Sequence, residues 1–562
     1  MGCKRLNFPV SFLIIREVNL PGLGNRQNIQ EEIRMKKDTT HMLWRAEHLK
    51  TILIGEGLLV GIVAGFVVLS YRLLLEVAQK LLNRIIDAGR QQPLVFVLWF
   101  LILALLAFVV SRLLRWEPLI SGSGIPQLEG EMTGKLNQTW WKVLPAKFAG
   151  GFLCLLGGLS LGREGPSIQL GAMAGKAVSR AMDRGKTEEK YLLTCGASAG
   201  LAAAFHAPLA GVMFSLEEIH KNFSVSVLIC VMTASLAADL ISSSFLGFEP
   251  VFQFHIGQEL EPQFYWHLII LGILLGLAGV FYNWLTLKTQ SLIQDNPRLN
   301  TFTRLLIPFL LAGVLAIVYP QILGSGHDLV MEAASGNLML WSFALLFVGK
   351  LLFSSISFGS GAPGGIFFPL LVLGALIGGA YATFASQWLG LPSGYINNFV
   401  LLAMAGYFTA IVRAPITGII LIFEMTGDVS QMFSLSLVSI AAYLVATLLK
   451  SRPIYESLLD ALLRRRGENV TENTGERVLQ EFVVSFGSPA HHKMIQMISW
   501  PENCLLVAIR RDGEELIPKG RTIIMAGDTL VTLTDEVHAS SVYDGMENLC
   551  REKPEEIVKE TY

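Results

Sequence analysis

Between residues 51 and 449 one apolar run follows another, and this limits the fold more than any other feature of the chain. TILIGEGLLVGIVAGFVVLSYRLLL (51–75), PLVFVLWFLILALLAFVVSRLL (93–114) and WHLIILGILLGLAGVFYNWL (266–285) are long enough for a spanning helix, which needs about 20 residues. The runs at 146–161, 192–216, 338–356, 366–385, 399–424 and 433–449 are shorter or are broken by glycine and proline. Such a pattern predicts discontinuous helices that end inside the membrane. Irregular backbone at that depth is tolerated only where protein buries it or a watery cavity meets it. Composition agrees, with 52% hydrophobic residues, 16% charged and a mean hydropathy of +0.50, where soluble domains carry roughly 25% charged residues. A net charge of −1 points away from nucleic acid. Cysteines 3, 154, 195, 230, 504 and 550 form no CxxC pair, so neither a disulfide framework nor a metal site is expected, and no cofactor.

The apolar region repeats itself. ISGSGIPQL (120–128) echoes ILGSGHDLV (322–330), and ASAGLAAAFHAPLAGVMFSLEE (197–218) echoes AMAGYFTAIVRAPITGIILIFE (403–424). Ser123 pairs with Ser325 and Pro208 with Pro415, an offset of 202–207 residues. LGREGPSIQLGAMAG (161–175) weakly resembles FGSGAPGGIFFPLLVLGALIG (358–378). Two related halves, about 50–245 and 260–465, are a common transporter plan, with the substrate site where the halves meet.

Three glycine-rich stretches precede helix starts. In GSGIP, Gly122 and Gly124 let the backbone approach a ligand, Ser123 adds a hydroxyl, and Pro126 suits a first helical turn. GREGP repeats this grammar with Gly162, Gly165 and Pro166. GSGAPGGIFFP (359–369) supplies Gly365 ahead of Ile366 and Phe367. A helix start aims free N–H groups and its positive end forward, which favours an anion. Glu164 is then able to occupy such an anion site itself and to leave it when protonated. A charge at the bilayer centre costs roughly 2.5–3.5 kcal/mol on insertion scales, so a decorative Glu164 is not expected, while a structural cap or Arg–carboxylate pair stays open as the alternative. Arg163 is expected to be structural, paired away from the pathway.

In SLEEIH (215–220), Glu217 has a repeat partner in Glu424 and reads as an acid of the fold. Glu218 has none, since Met425 stands there, and it is a proton-relay candidate. Tyr455, just after Pro453, has a phenol able to donate one hydrogen bond to an anion.

These residues together resemble the CLC family of chloride channels and chloride/proton antiporters, over about residues 45–465. GSGIP, GREGP and GIFFP (365–369) match its three anion-binding signatures. The resemblance implies an all-α inverted repeat of about eighteen membrane helices per subunit, in a homodimer with one anion pathway in each subunit. It implies that Ser123 and Tyr455 give hydroxyl ligands to a central chloride and that Ile366 and Phe367 give backbone N–H groups. Glu164 matches the gating glutamate and Glu218 the internal proton glutamate of antiporters. An acid at position 218 tilts the expectation towards exchange of chloride against protons. A passive chloride channel of the same fold stays open as an alternative, and a cation transporter or channel as a distant one.

After the last run the character changes. Lys450, Arg452 and Arg464–Arg466 form a basic cluster that favours a cytoplasmic location. Residues 467–476 read as a polar linker. Residues 477–540 read as a small α+β domain, with strands in VLQEFVVSF, LLVAIRR and IIMAGDTLVTLTD and a short helix near 489–497. It resembles the TrkA-C (RCK C-terminal) module, which implies a prokaryotic source, a cell-membrane protein with this domain in the cytoplasm, and a small nucleotide-type regulator. Residues 541–562 are expected to be a fraying charged tail, and residues 1–44 an irregular, cytoplasmic lead.

Overall fold

Proline dictates where the apolar runs break. It lacks an N–H, and it disfavours helical backbone in the residue before it. The run 192–216 therefore splits at His206-Ala207 into helices Lys186–Phe205 and Pro208–Phe214. The run 399–424 splits at Arg413-Ala414 into Ile396–Val412 and Pro415–Thr426. The two residues at the breaks take left-handed backbone, His206 at φ 54° and Arg413 at φ 73°.

The structure, a computed structural model, describes residues 26–221, 225–252, 260–336, 338–467, 477–511, 514–535 and 538–551. Among them are eighteen α-helices and one four-stranded sheet. The chain divides into two compact units at Leu459/Asp460. Eight helices among the described residues are long and apolar enough to cross a membrane. Two of these, Phe367–Trp388 and the stretch Ser393–Val412, lie mostly inside the protein. The first helix, Arg26–Gln91, runs for 66 residues. It takes in residues 26–44, which the sequence reading had placed in an irregular lead; residues 1–25 lie outside the described part.

The two halves brace each other reciprocally. Glu217, in the first half, accepts hydrogen bonds from Thr417 N (2.9 Å) and Thr417 Oγ1 (2.8 Å) at the start of helix Pro415–Thr426. Glu424, its repeat partner, accepts from Leu209 N (3.0 Å) and Ala210 N (2.7 Å) at the start of helix Pro208–Phe214. Each acid thus satisfies orphan N–H groups of the other half, as two-fold-related halves require. Buried lysines repeat the theme. Lys147 donates to Ile120 O (2.9 Å) and Gly122 O (2.6 Å), and Lys350 to Ile322 O (2.9 Å) and Gly324 O (2.8 Å).

In the C-terminal unit the strands are β1 (Arg477–Val483), β2 (Leu505–Arg511), β3 (Glu514–Leu516) and β4 (Thr529–Asp535). They form an antiparallel sheet in the order β1-β4-β2-β3. The helix expected near 489–497 is reduced to a single tight turn, Ile495–Met497. Backbone N–H groups of His492 and Ile495 donate instead across to Ile524 and Thr522 carbonyls, which holds the segment open. The expected charged tail is ordered as far as Arg551 and mostly helical: Ala539–Cys550 buries Val542, Met546 and Cys550 in the same cluster as Phe482, Ile509 and Leu530. Apolar residues four apart share one helical face, and that spacing decides the matter over the charge. Residues 552–562, most of the 467–476 linker, and Asp512-Gly513 lie outside the described part.

Candidate functional site

Three loops meet deep in the membrane unit. Gly364 N donates to Gly122 O at 3.0 Å, and Gly162 and Gly365 exchange two backbone bonds of 2.7 and 2.8 Å. Gly165 lies so close to Ser123 that a Cβ there would stand 2.8 Å from the serine Cβ. Helices Ile125–Met132, Glu164–Ala181 and Phe367–Trp388 all start from these loops. Their first-turn N–H groups have no acceptor within the helix. The meeting point is thus rich in partial positive charge.

Gly162 and Gly365 also fix a register between the halves. Arg163 and Ile366 cap their helices with near-identical backbone, φ −88° and −93°, ψ −15° and −10°. Glu164 and Phe367 are therefore equivalent positions, and Pro166 and Pro369 follow at the third helical residue of each.

Glu164 is completely buried, and neither of its carboxylate oxygens has a protein hydrogen-bond partner among the described residues. Among the groups facing it are Arg163, its own backbone N–H, that of Phe368 and, further off, Arg72. A Cβ on Gly162 would fall 2.5 Å from Glu164 Oε2, so only glycine leaves the carboxylate room. Helix starts stabilise an anion by up to ~2 kcal/mol each in buried geometry. The two whose N–H groups face Glu164 are enough to offset an insertion cost of roughly 2.5–3.5 kcal/mol. In front of Glu164 lies a cavity of about 280 Å³, lined also by Tyr71, Glu76, Arg163, Ser325, His327 and Phe368. Arg163 does not turn away from this space as expected. It lines the cavity with its Nε 3.7 Å from Glu164 Oε1, because the residue that caps the helix stands beside the residue that begins it.

Ser123 is buried, and its Oγ accepts from Ile125 N at 3.1 Å, which leaves its hydroxyl hydrogen to donate. Ile366, Phe367 and Pro126 are buried at their helix starts. Tyr455 is fully buried, and its hydroxyl has no protein partner among the described residues. Phe214 joins it to this centre: the Phe214 ring lies 6.4 Å from Tyr455 and 6.0 Å from Phe367.

Glu218 is not part of that meeting point. It sits in a π-helical turn, Ser215–His220, that continues helix Pro208–Phe214. Wide turns of this kind occur often at functional sites. Glu218 is buried, and its Oε1 has no protein hydrogen-bond partner among the described residues. Around it stand Glu129, Glu217, Lys221 and Glu456. Lys221 bridges Glu129, at 2.7 Å, to Glu456, so one ammonium joins the helix that starts after Ser123 to the helix that carries Tyr455.

The sequence reading missed Lys147 and Lys350. Each draws two loop carbonyls towards itself, which turns the far sides of those peptides, the N–H sides, away from the ammonium. The signal was available: the two lysines stand 203 residues apart, inside the repeat offset.

Fold and site together define a class: a polytopic membrane protein of two interlocked halves, with helix starts converging on a buried carboxylate. The chain belongs to the voltage gated chloride channel (CLC) family, whose model matches residues 106–447. A TrkA-C domain model matches residues 479–544. The H(+)/Cl(-) exchange transporter ClcA of Vibrio cholerae serotype O1 (strain M66-2) is 35% identical over 443 residues, 77% of this chain and 94% of the relative. Its namesake in Vibrio parahaemolyticus is 37% identical over 429 residues, 74% and 91% of the two chains. Among solved structures, a slow cyanobacterial Cl-/H+ antiporter matches with a TM-score of 0.70 and 29% identity, over 74% of this chain and 99% of that one. A CLC-type fluoride/proton antiporter shares the fold, with a TM-score of 0.58 and 21% identity, over 72% and 97%.

Proposed function

We propose that this protein is a secondary active chloride/proton antiporter, which moves Cl⁻ and H⁺ in opposite directions across a cell membrane. One observation carries the reading: a buried carboxylate, Glu164, stands without a hydrogen-bond partner where three helix starts meet, between an open cavity and the Phe367–Tyr455 aromatic group. That place suits an anion. Ionised, Glu164 fills it and excludes chloride. Protonated, it no longer gains from the helix starts, swings out and admits chloride. Ser123 and Tyr455 donate hydroxyls to the chloride within, and the Ile366 and Phe367 N–H groups complete its shell. Glu218 delivers protons from the other end by a separate route. The exchange of relatives named as H⁺/Cl⁻ exchangers supports the same assignment. Apart from these proton transfers, no covalent bond is made or broken.

The basic residues Lys450, Arg452 and Arg464–Arg466 support a cytoplasmic C-terminal domain. The TrkA-C match supports ligand control there, for which a nucleotide-type regulator is proposed. A homodimer in membrane lipid of a prokaryotic cell is the proposed assembly.

The test is reconstitution into liposomes with chloride and pH electrodes. A chloride gradient should drive protons uphill, and the zero-current voltage should shift with pH as well as with chloride. Reversal at the chloride equilibrium potential at every pH would instead identify a passive channel.

A further inference from the structure

The second half has its own copy of the GSG loop. Gly324 and Gly326 have φ 63° and 92°, against 64° and 94° at Gly122 and Gly124. Where Ile125 opens the helix in the first half, His327 opens it in the second, followed by Asp328. This loop faces the space in front of Glu164: Ser325 and His327 line the cavity of about 280 Å³ together with Glu164 and Arg163. The imidazole stacks on Phe252 (5.2 Å, 22°) and on Phe368 (6.1 Å, 15°). Phe368 is the residue whose backbone N–H faces the Glu164 carboxylate. His327 Nε2 lies 3.4 Å from Val251 O, which assigns the ring hydrogen to Nε2; Nδ1, 3.9 Å from Asp328 Oδ1, then carries a lone pair able to take a proton. The side chain is 42% exposed, whereas that of Glu164 is 0% exposed. A titratable, part-exposed ring therefore shares this cavity with a buried carboxyl group.

We infer that His327 is the station through which Glu164 exchanges its proton with the solution on the cavity side, an inference that rests on the antiporter reading. The Glu164 O–H bond breaks, the proton crosses cavity water, and an N–H bond forms at His327 Nδ1. Glu164 is then a carboxylate and His327 an imidazolium. The imidazolium returns the proton to outside water and becomes neutral again, so one proton has moved and nothing else has changed. A cavity of this size holds several waters at about 30 Å³ each, and imidazole ordinarily titrates near neutrality. Among the described residues, Arg163 and Asp328 act directly on His327. Glu164 on the opposite loop, Tyr71 and Glu76 on the first helix and Cys154 on helix Trp140–Leu156 share its cavity, Glu332 on its own helix lines a second cavity with it, and Lys350 lies beside Gly326. Burial above all, with Arg163, opposes the imidazolium, while the Val251 carbonyl and Asp328 favour it. That balance suits a relay, which must release its proton, better than a store.

The experiment uses the full chain in liposomes. His327→Phe keeps a ring to stack on Phe252 and Phe368 and removes the titration. Exchange should slow by on the order of 100-fold, and its dependence on cavity-side pH should flatten at and below about 6.5, the ordinary imidazole value, because burial and Arg163 lower the proton affinity of this ring. The same substitution placed on Glu164→Gln, whose chloride flux needs no proton, should leave that flux equal to the flux of E164Q alone. Unchanged turnover and pH profile in H327F would overturn the relay, as would equal slowing in the E164Q background, since the residue would then act on the chloride path. If E164Q itself stays proton-coupled, the antiporter roles assigned above fail first, and the double variant separates the two failures.

Discussion

The two halves of the membrane unit share a scaffold and differ in chemistry. Gly122 and Gly324, Lys147 and Lys350, Pro166 and Pro369, Pro208 and Pro415, Glu217 and Glu424 all stand at equivalent places. They set backbone shape, hold carbonyls or cap helices. The two acids assigned to proton transport are not duplicated. Phe367 stands where Glu164 would repeat, and Met425 where Glu218 would. The duplicated residues build a pair of braced helix-start cradles, and the unpaired Glu164 puts a carboxyl group at one of them. A buried acid is therefore best judged by its counterpart: a matched acid reads as structure and an unmatched one as function.

The largest effect should come from the unmatched acids. Glu164→Gln is expected to keep chloride flux and abolish chloride-driven proton movement, read on a pH electrode; proton pumping that survives would break the comparison outright. Glu218→Gln should likewise lose coupling while chloride still moves, and an uncoupled Glu217→Gln of the same degree would erase the distinction between matched and unmatched acids. Next come the lysines. Lys147→Met strands Ile120 O and leaves Gly122 O to Gly364 N alone, Lys350→Met takes the ammonium from Ile322 O and Gly324 O, and each should lower stability by about 1–3 kcal/mol, measured as the urea midpoint of pulse proteolysis. Unequal losses would mean that the two cradles are not equivalent scaffolds. The capping acids should matter less. Glu217→Ala and Glu424→Ala are expected to cost about 0.5–2 kcal/mol each and to leave coupling intact, as thermal melting and the flux assay together will tell.

The smallest effect lies in the C-terminal unit, outside this symmetry. Burial disfavours the Asp528 charge, but the Arg511 fork (2.7 Å to each oxygen) and the Met525 N–H outweigh it and hold the carboxyl below its ordinary range. A depressed carboxyl stabilises the fold at pH values above its unfolded-state value, and the gain is lost as pH falls through the folded-state value. Residues 477–551 should accordingly become easier to cleave by protease as the medium is acidified below about pH 4. Arg511→Ala should reduce that acid sensitivity and weaken the unit at neutral pH.

Much of this was legible in the linear chain. GSGIP, GREGP and GIFFP announced helix starts, since glycine followed by proline has few other uses in an apolar region. Pro208 and Pro415 marked the breaks, and Glu218 stood out against Met425. Arg163 was misjudged because a sequence shows that two charges are adjacent but not which way each side chain leaves a helix cap. The helix Ala539–Cys550 was missed because its charges are conspicuous and its buried stripe, Val542, Met546 and Cys550, is only three residues long.

By itself the sequence determined the class of fold, the repeat, the helix starts and the identity of the unmatched acids. These follow from local rules: apolar length, the missing N–H of proline, the freedom of glycine. Only the tertiary structure decided that Glu217 and Glu424 cap each other's halves, that two lysines hold the loop carbonyls, and that His327 shares a cavity with Glu164. Those are meetings of residues up to about 200 positions apart, and chain spacing places no bound on distance at that separation. Packing does.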